Sequence, residues 1–317
     1  MTTLTWSGRT LSLAPGQTVL DALEAAGTAP SASCRAGVCQ SCLVRAVDGT
    51  VPARAQEGLT PGQKARGVFK ACVCIPAEAL QLVPADAEDA PLPGILVARE
   101  RRGTTAILDL HVPGLTCLGG QFVNVIRADG LTRPYSVATR WTDHIRLHVA
   151  ILPDGRMSRW LADAPIGTPL QVRGPAGDCV YVDEPDRPLV LAGLGTGLAP
   201  LLGILDDADQ AGHHAPVHLY FGARTATDLY WADNLRERAA RTPRLHLHLG
   251  ALDAQEQPGI HSGPLEDAVL ANKEGLARGR HYLCGAPAWV QSLQRRLFLG
   301  GASLQRIHAD AFVTAPP

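Results

Sequence analysis

Cys34, Cys39 and Cys42 stand in the pattern C-x4-C-x2-C, and no other feature restricts this 317-residue chain so strongly. The spacing is one of those used to ligate a [2Fe–2S] cluster, whose two irons need four thiolates, the fourth arriving from further along the chain. Ala36, Gly37 and Ser41 keep the loop slim enough to wrap a cluster and aim backbone N–H groups at its sulfurs. Cys72 and Cys74 are the candidates for the fourth thiolate. A zinc site would more commonly pair C-x2-C or Cys/His ligands, and the first histidine is His111. The opening MTTLTWSGRT lacks the basic start and apolar run of a secretory signal, so a cytoplasmic protein with reduced thiols is expected.

The chain exceeds one ordinary core and suits two or three domains. Leu4–Leu13 reads as a hairpin about Ser7-Gly8, and Thr18 as the N-cap of a helix ending before Gly27. A strand near Ala79–Val83 precedes PADAEDAPLP, Pro84 to Pro93, a small, acidic and proline-rich linker. Beyond it, β-branched runs (Gly94–Arg99, Thr105–Val112, Phe122–Arg127, Ile145–Leu152, Leu170–Arg173) imply an antiparallel sheet or barrel with one helix near Ser158. From Arg187, apolar strands alternate with helical segments, as in βαβ units. The expected division is 1–85, a linker over 86–93, then 94–185 and 186–317. The expected fold class is multidomain: an α+β, β-grasp-like domain, an antiparallel β-barrel and an α/β parallel-sheet domain.

A net charge of −1 with 19% charged residues gives no reason to expect nucleic acid or an anionic membrane as partner. Leu189–Leu205 carries no charge over 17 residues, but Gly193, Gly195, Gly197, Gly203 and Pro200 make it a strand, turn and helix, not a membrane span.

Two further segments carry chemistry. Gly120-Gln121-Phe122-Val123 is followed by Arg133-Pro134-Tyr135-Ser136, and then by Leu152-Pro153-Asp154-Gly155-Arg156-Met157-Ser158. In this order they resemble the flavin-binding barrel of the ferredoxin–NADP⁺ reductase family. Arg133 is suited to a pyrophosphate oxygen, Tyr135 to stacking on an isoalloxazine, and the Ser136 hydroxyl to flavin N5. Gly155 to Ser158 open a helix whose free N–H groups suit phosphates. His148, Val149 and Ala150 occupy the strand that lies beside the flavin in that family. Separately, Gly193-Leu-Gly195-Thr196-Gly197-Leu-Ala-Pro200 ends a buried strand and opens a helix, as phosphate-bearing ligands require. Its G-x-G-T-G-x-A-P form resembles the reductase family more than dehydrogenases. Cys284-Gly285-Ala286-Pro287 matches that family's C-G-x-P element, and Asp310-Ala-Phe312 its acidic-x-aromatic terminus, whose ring covers the flavin.

The segment around the cysteines also resembles plant-type ferredoxins, in which the last ligand follows a small residue at a strand end. Phe69-Lys70-Ala71-Cys72 fits, with 29 residues between Cys42 and Cys72, and Cys74 then faces away. Together the three parts resemble oxygenase reductases with an N-terminal ferredoxin domain, of the benzoate dioxygenase reductase type. The resemblance implies hydride transfer from NADH, with NADPH open, to FAD. Ser136, Cys284 and Asp310 would line the site, with Phe312 moving aside. Electrons would leave one at a time through Cys34, Cys39, Cys42 and Cys72 to a terminal oxygenase docking near the cluster. Arg224, after the strand Val217–Phe221, is placed to meet a 2′-phosphate, the adenine or the pyrophosphate. Other acceptors, a deoxysugar dehydrase or a P450, keep the same path, and a redox sensor is the non-enzymatic alternative.

Overall fold

A computed structural model describes residues 2–30, 32–85, 90–254 and 257–313; residues 86–89 of the expected linker lie outside them. The first sheet uses β1 (Thr2–Trp6) and β2 (Arg9–Leu13), joined by Ser7 and Gly8 at φ 47° and 86°, the double left-handed turn of a tight hairpin. Helix α1 (Val19–Ala25) follows. Thr18 Oγ1 accepts from the Asp21 amide at 3.2 Å while the Asp21 carboxylate accepts from the Thr18 amide, and Val19, Leu20 and Leu23 are buried. Then come β3 (Leu43–Asp48), α2 (Pro61–Ala65), β4 (Val68–Lys70) and β5 (Leu80–Pro84). The order is β2-β1-β5-β3-β4, with β1 and β5 parallel and the other pairs antiparallel, as expected of a grasp-like sheet.

The second sheet is a closed antiparallel barrel. Its strands are β6 (Leu92–Arg102), β7 (Thr105–His111), β8 (Phe122–Ile126), β9 (Thr132–Trp141), β10 (His144–Ala150) and, after α3 (Arg156–Asp163), β11 (Pro169–Ala176). Strand β9 is the one not legible from periodicity. It holds Arg133–Ser136, and Pro134 has no amide to donate, which argues against an interior strand. It nevertheless pairs with β8 on one side and β10 on the other.

The third sheet is parallel throughout, ordered β15-β14-β13-β12-β16-β17. It comprises β12 (Leu189–Leu194), α4 (Leu198–Gln210), β13 (Val217–Thr225), α5 (Ala232–Arg241), β14 (Leu245–Asp253), β15 (Ile260–Ser262), α6 (Leu265–Ala271), α7 (Lys273–Arg278), β16 (Arg280–Gly285), α8 (Pro287–Leu299) and β17 (Ile307–Ala311). Helix α5 begins only at Ala232. Tyr230 and Trp231 turn away to meet the barrel at His148. Among the described residues no helix is long and apolar enough to cross a membrane.

Barrel and parallel sheet meet through α4 and β9. A Cβ on Gly119 would lie 2.0 Å from the Gly203 carbonyl oxygen, so only two glycines allow this approach. Around it Thr139 Oγ1 donates to Asp206 at 2.6 Å, the Gly119 amide donates to Asp207 at 2.8 Å, and Arg140 pairs with Asp207. These bonds fix β9 against α4.

Candidate functional site

The cysteine loop folds around its own sulfurs. Arg35, Gly37 and Gln40 sit at φ 51°, 74° and 55°, a run of left-handed turns that points successive amides inward. Cys34 Sγ accepts from the Ala36 amide at 3.4 Å and the Cys39 amide at 3.3 Å. The four thiols are buried and form two pairs, Cys34 with Cys39 and Cys42 with Cys72. Within each pair the side-chain hydrogen bond lowers one thiol, Cys34 or Cys72, and raises its partner, with burial opposing the first effect and adding to the second. The four cysteines are thus brought together from Cys34–Cys42 and Cys72, the ligand number a [2Fe–2S] cluster requires. Cys74 is fully buried, and burial alone pushes its thiol up to about 12. Cys72 therefore stands among the thiols and Cys74 in the apolar core.

Two residues to which the sequence reading gives no role hold this loop. Lys70 is buried, and its Nζ donates to the carbonyls of Gly37 at 2.7 Å and Glu57 at 2.5 Å. Asn124, on the barrel, donates to the Cys39 carbonyl at 2.6 Å.

In the barrel, Arg133 is half-buried, with no carboxylate partner among the described residues; its one side-chain bond goes to the Thr132 carbonyl at 2.9 Å. An unpaired guanidinium beside the half-buried Tyr135 ring fits a flavin phosphate and isoalloxazine. A Cβ on Gly155 would meet Ser158 Oγ at 2.2 Å, which explains the glycine at the N-terminus of α3. The Ser158 hydroxyl is used internally, accepting from the Leu152 amide at 3.2 Å. Met157 is buried, while the Arg156 side chain is exposed. Val149 lies in the barrel core. His148 Nδ1 meets Tyr230 Oη at 2.9 Å, and burial, followed by Arg146 and Arg102, lowers its pKa to about 3. The ring is thus a neutral contact between barrel and parallel sheet.

The strand ends of the parallel sheet enclose a cavity of about 550 Å³, within the range of ligand sites. Gly195, Thr196 and Arg224 line it, as the sequence suggests, with Ala150 from the barrel. Asp228, Glu266, Trp289, Leu252 and Thr104 also line it and have no motif to announce them. A Cβ on Gly197 would lie 2.1 Å from the Cys284 carbonyl oxygen, so the glycine turn presses directly on the end of β16. Pro200 is buried in the first turn of α4, and Pro287 opens α8.

The barrel and sheet meet at Ser136, whose hydroxyl donates to Asp310 Oδ2 at 3.4 Å. Asp310 pairs with Cys284 across β16 and β17, and the Phe312 amide donates to the Gly285 carbonyl at 2.8 Å. Burial raises the Asp310 carboxyl to about 6 against the lowering effect of the Ser136 bond. Burial also raises the Cys284 thiol, with Cys179 adding to it. Ser136, Cys284 and Asp310, distant in sequence, therefore come together in one group, with Cys284 buried and the other two half-buried.

Four buried cysteines in one loop and its neighbouring strand end, a barrel arginine with no carboxylate partner among the described residues, and a parallel sheet with a glycine-lined cleft together fit a flavin- and nicotinamide-dependent iron–sulfur oxidoreductase. Comparison with known families agrees segment by segment. Residues 3–77 match the 2Fe-2S iron-sulfur cluster binding domain, residues 102–181 the oxidoreductase FAD-binding domain, and residues 190–295 the oxidoreductase NAD-binding domain. The chain is 32% identical to the ferredoxin–NAD(P)⁺ reductase component of a naphthalene 1,2-dioxygenase system of Pseudomonas putida, over 96% of each chain. It is 30% identical to the reductase component of the naphthalene 1,2-dioxygenase/salicylate 5-hydroxylase systems of a Ralstonia species, over 95% of each. The crystal structure of the Amycolatopsis cytochrome P450 reductase GcoB superposes with a TM-score of 0.70 at 28% identity, covering 98% of this chain and 99% of that one. The chain belongs to the family of ferredoxin–NAD(P)⁺ reductase components that carry a [2Fe–2S] domain, an FAD domain and an NAD domain in one polypeptide.

Proposed function

We propose that this protein is the cytoplasmic reductase component of an oxygenase, taking hydride from NADH and delivering single electrons to a terminal oxygenase that docks near the cysteine loop. The observation that carries the reading is the order of sites along one barrel. Strand β9 offers Arg133, Tyr135 and Ser136, its neighbour β8 touches the cysteine loop, and Ser136 reaches Asp310 beside the nicotinamide cleft. The proposed units are 1–85, 94–185 and 186–317, joined by 86–93.

A flavin supplies the conversion of a paired donor into single electrons that a nicotinamide and an iron–sulfur cluster cannot make between themselves. Cys34, Cys39, Cys42 and Cys72 hold the cluster, and the inward amides stabilise thiolate charge. Arg133 takes a pyrophosphate oxygen, and Tyr135 provides a stacking face. Ser136 offers its hydroxyl at the reacting edge, and Asp310 holds or accepts the neighbouring proton near pH 6. Cys284, kept neutral by burial, adds no charge where a hydride must pass. NADH is favoured over NADPH by the domain order shared with oxygenase reductases; in the cleft Arg224 stands with Asp228, which accepts from Thr225, and Glu266, which pairs with Arg296. The likeness to a P450 reductase favours a second reading, in which the acceptor is a P450.

The test is anaerobic titration of the purified protein, first with NADH and then with NADPH, followed by absorption and by ferricyanide and cytochrome c reduction. Bleaching of flavin and cluster bands by stoichiometric NADH, with rapid reduction of both acceptors, is expected. Slow turnover with every acceptor would point to a redox sensor instead. Reconstitution with candidate oxygenases and P450s separates the two acceptors.

A further inference from the structure

The cysteine loop is tied to the barrel by side chains from two adjacent strands. Asn124, 2% exposed on β8, donates Nδ2 to the Cys39 carbonyl at 2.6 Å. Arg173, on β11, donates Nη1 to the Ser41 carbonyl at 3.1 Å. Asn124 and Arg173 lie directly opposite each other across the β8–β11 ladder. On its other side Asn124 lies opposite Pro134, with Val123 opposite Tyr135 and Val125 opposite Arg133. One residue of β8 therefore borders the flavin motif on one side and holds the cysteine loop on the other.

The carbonyls they hold belong to the segment Cys39-Gln-Ser-Cys42, which carries one cysteine from each thiol pair. Docking takes the two carbonyls and their donors away from water, and these bonds satisfy both sides, so removing a donor leaves a docked carbonyl without a partner and weakens the docked arrangement. Neighbouring strands lie about 4.8 Å apart, so the anchor sits one strand spacing from the flavin motif. Electron tunnelling falls exponentially with separation, and a small slip of the loop would slow transfer without altering either cofactor site.

We infer that Asn124 and Arg173 are positioning residues that dock the cysteine loop on the barrel and thereby set the rate at which electrons pass from flavin to cluster. The inference rests on the electron path proposed above. It concerns a step that neither hydride transfer nor cluster assembly controls.

The experiment uses the full-length holoenzyme carrying Asn124→Leu, Arg173→Met or Arg173→Lys. NADH–ferricyanide activity reports the flavin, and NADH–cytochrome c activity reports the complete path. Electron paramagnetic resonance of the reduced cluster reports its integrity, and amide hydrogen exchange over residues 39–42 reports docking. Asn124→Leu and Arg173→Met should leave ferricyanide reduction and the cluster signal as in the wild type. Cytochrome c reduction should fall about tenfold, the scale of a slight loss of positioning, and exchange over 39–42 should rise. Arg173→Lys, which keeps a donor for the carbonyl, should restore most of the rate. Unchanged cytochrome c rates and exchange in both Leu and Met variants overturn the inference, as does a Lys variant no better than Met. If Asn124→Leu fails to accumulate, the Met and Lys pair at Arg173 decides. A wild-type enzyme that reduces ferricyanide but not cytochrome c overturns the electron path itself and this inference with it, an outcome distinct from unaltered variants of a competent enzyme.

Discussion

In the proposed cluster site the chain offers side chains, four thiols and the amides around them, three of the four within nine residues. In the proposed nicotinamide cleft it offers mostly backbone and surface: a glycine turn after β12, the edge of β13, the residues before α6 and its first turn, and the start of α8. The first site gains its affinity from a few covalent-strength ligands, the second from many weak contacts spread over a cavity. Single substitutions should therefore act as a switch in the loop and as a graded change in the cleft. Exceptions should occur only where backbone touches backbone.

The sharpest test of the switch is Cys72→Ser beside Cys74→Ala. Cys72→Ser should abolish the cluster, measured as iron and sulfide content and by the visible spectrum, while ferricyanide reduction by NADH persists. Cys74→Ala should keep full iron content and lose only packing, because burial is the one influence on its thiol, whereas Cys42 and Cys72 pair with each other. Full iron in Cys72→Ser, or its loss in Cys74→Ala, would reverse the choice of fourth thiolate.

The exception in the cleft is Gly197. A Cβ there would lie 2.1 Å from the Cys284 carbonyl oxygen and 3.1 Å from the Gly285 amide nitrogen, and neither backbone group can swing away. Gly197→Val should cost roughly 1–3 kcal/mol of stability by overpacking. It should also weaken NADH binding by about tenfold or more, since the turn that faces the phosphates must shift. Cluster content should stay normal. Tight NADH binding by this variant would mean that the close approach is relieved elsewhere.

The same contrast explains how much could be read before the fold was known. Local signals survived intact: the cysteine spacing, the Thr18 cap, the Ser7-Gly8 turn, and the strand–turn–helix at Leu189–Gln210. Strand β9 did not, because Pro134 breaks the pattern by which strands are recognised, and only its neighbours on both sides make it a strand. Asn124 and Lys70 carried no signal, being an ordinary strand polar residue and an ordinary lysine until the loop carbonyls are placed beside them. Asp228 and Glu266 enter the cleft through tertiary structure alone. The group of Ser136, Cys284 and Asp310 was legible only through resemblance, since these residues lie on different strands of two sheets.

Between switch and gradation stands Arg133, a single charged side chain proposed to meet a phosphate. Losing a charge-assisted hydrogen bond costs roughly 1.5–3 kcal/mol, about ten- to a hundredfold in affinity. Arg133→Ala should therefore release FAD on gel filtration and regain activity when FAD is added in excess. Unchanged flavin occupancy at low protein concentration would remove Arg133 from the flavin site and make it a structural residue of β9.

The smallest expected effect is the most diagnostic of the group around Asp310. Burial raises the folded Asp310 carboxyl from 3.8 to about 6 against a Ser136 bond that favours ionisation. Because the folded state holds this proton more tightly than the unfolded chain, the resulting stability is fully present below about pH 3.8 and is lost as pH rises through 6. Folding in that window takes up a proton, and Asp310→Asn removes the dependence. In catalysis the same titration decides what Ser136 meets. Above pH 6 its hydroxyl faces a carboxylate that accepts from it; below, a neutral acid that can donate instead. Flavin reduction by NADH, followed by stopped flow across pH 5 to 8, should show an inflection near 6 in the wild type and none in Asp310→Asn, with only a few-fold change in rate at neutral pH. Persistence of the inflection in the variant would assign the titration to another group and separate Asp310 from the hydride site.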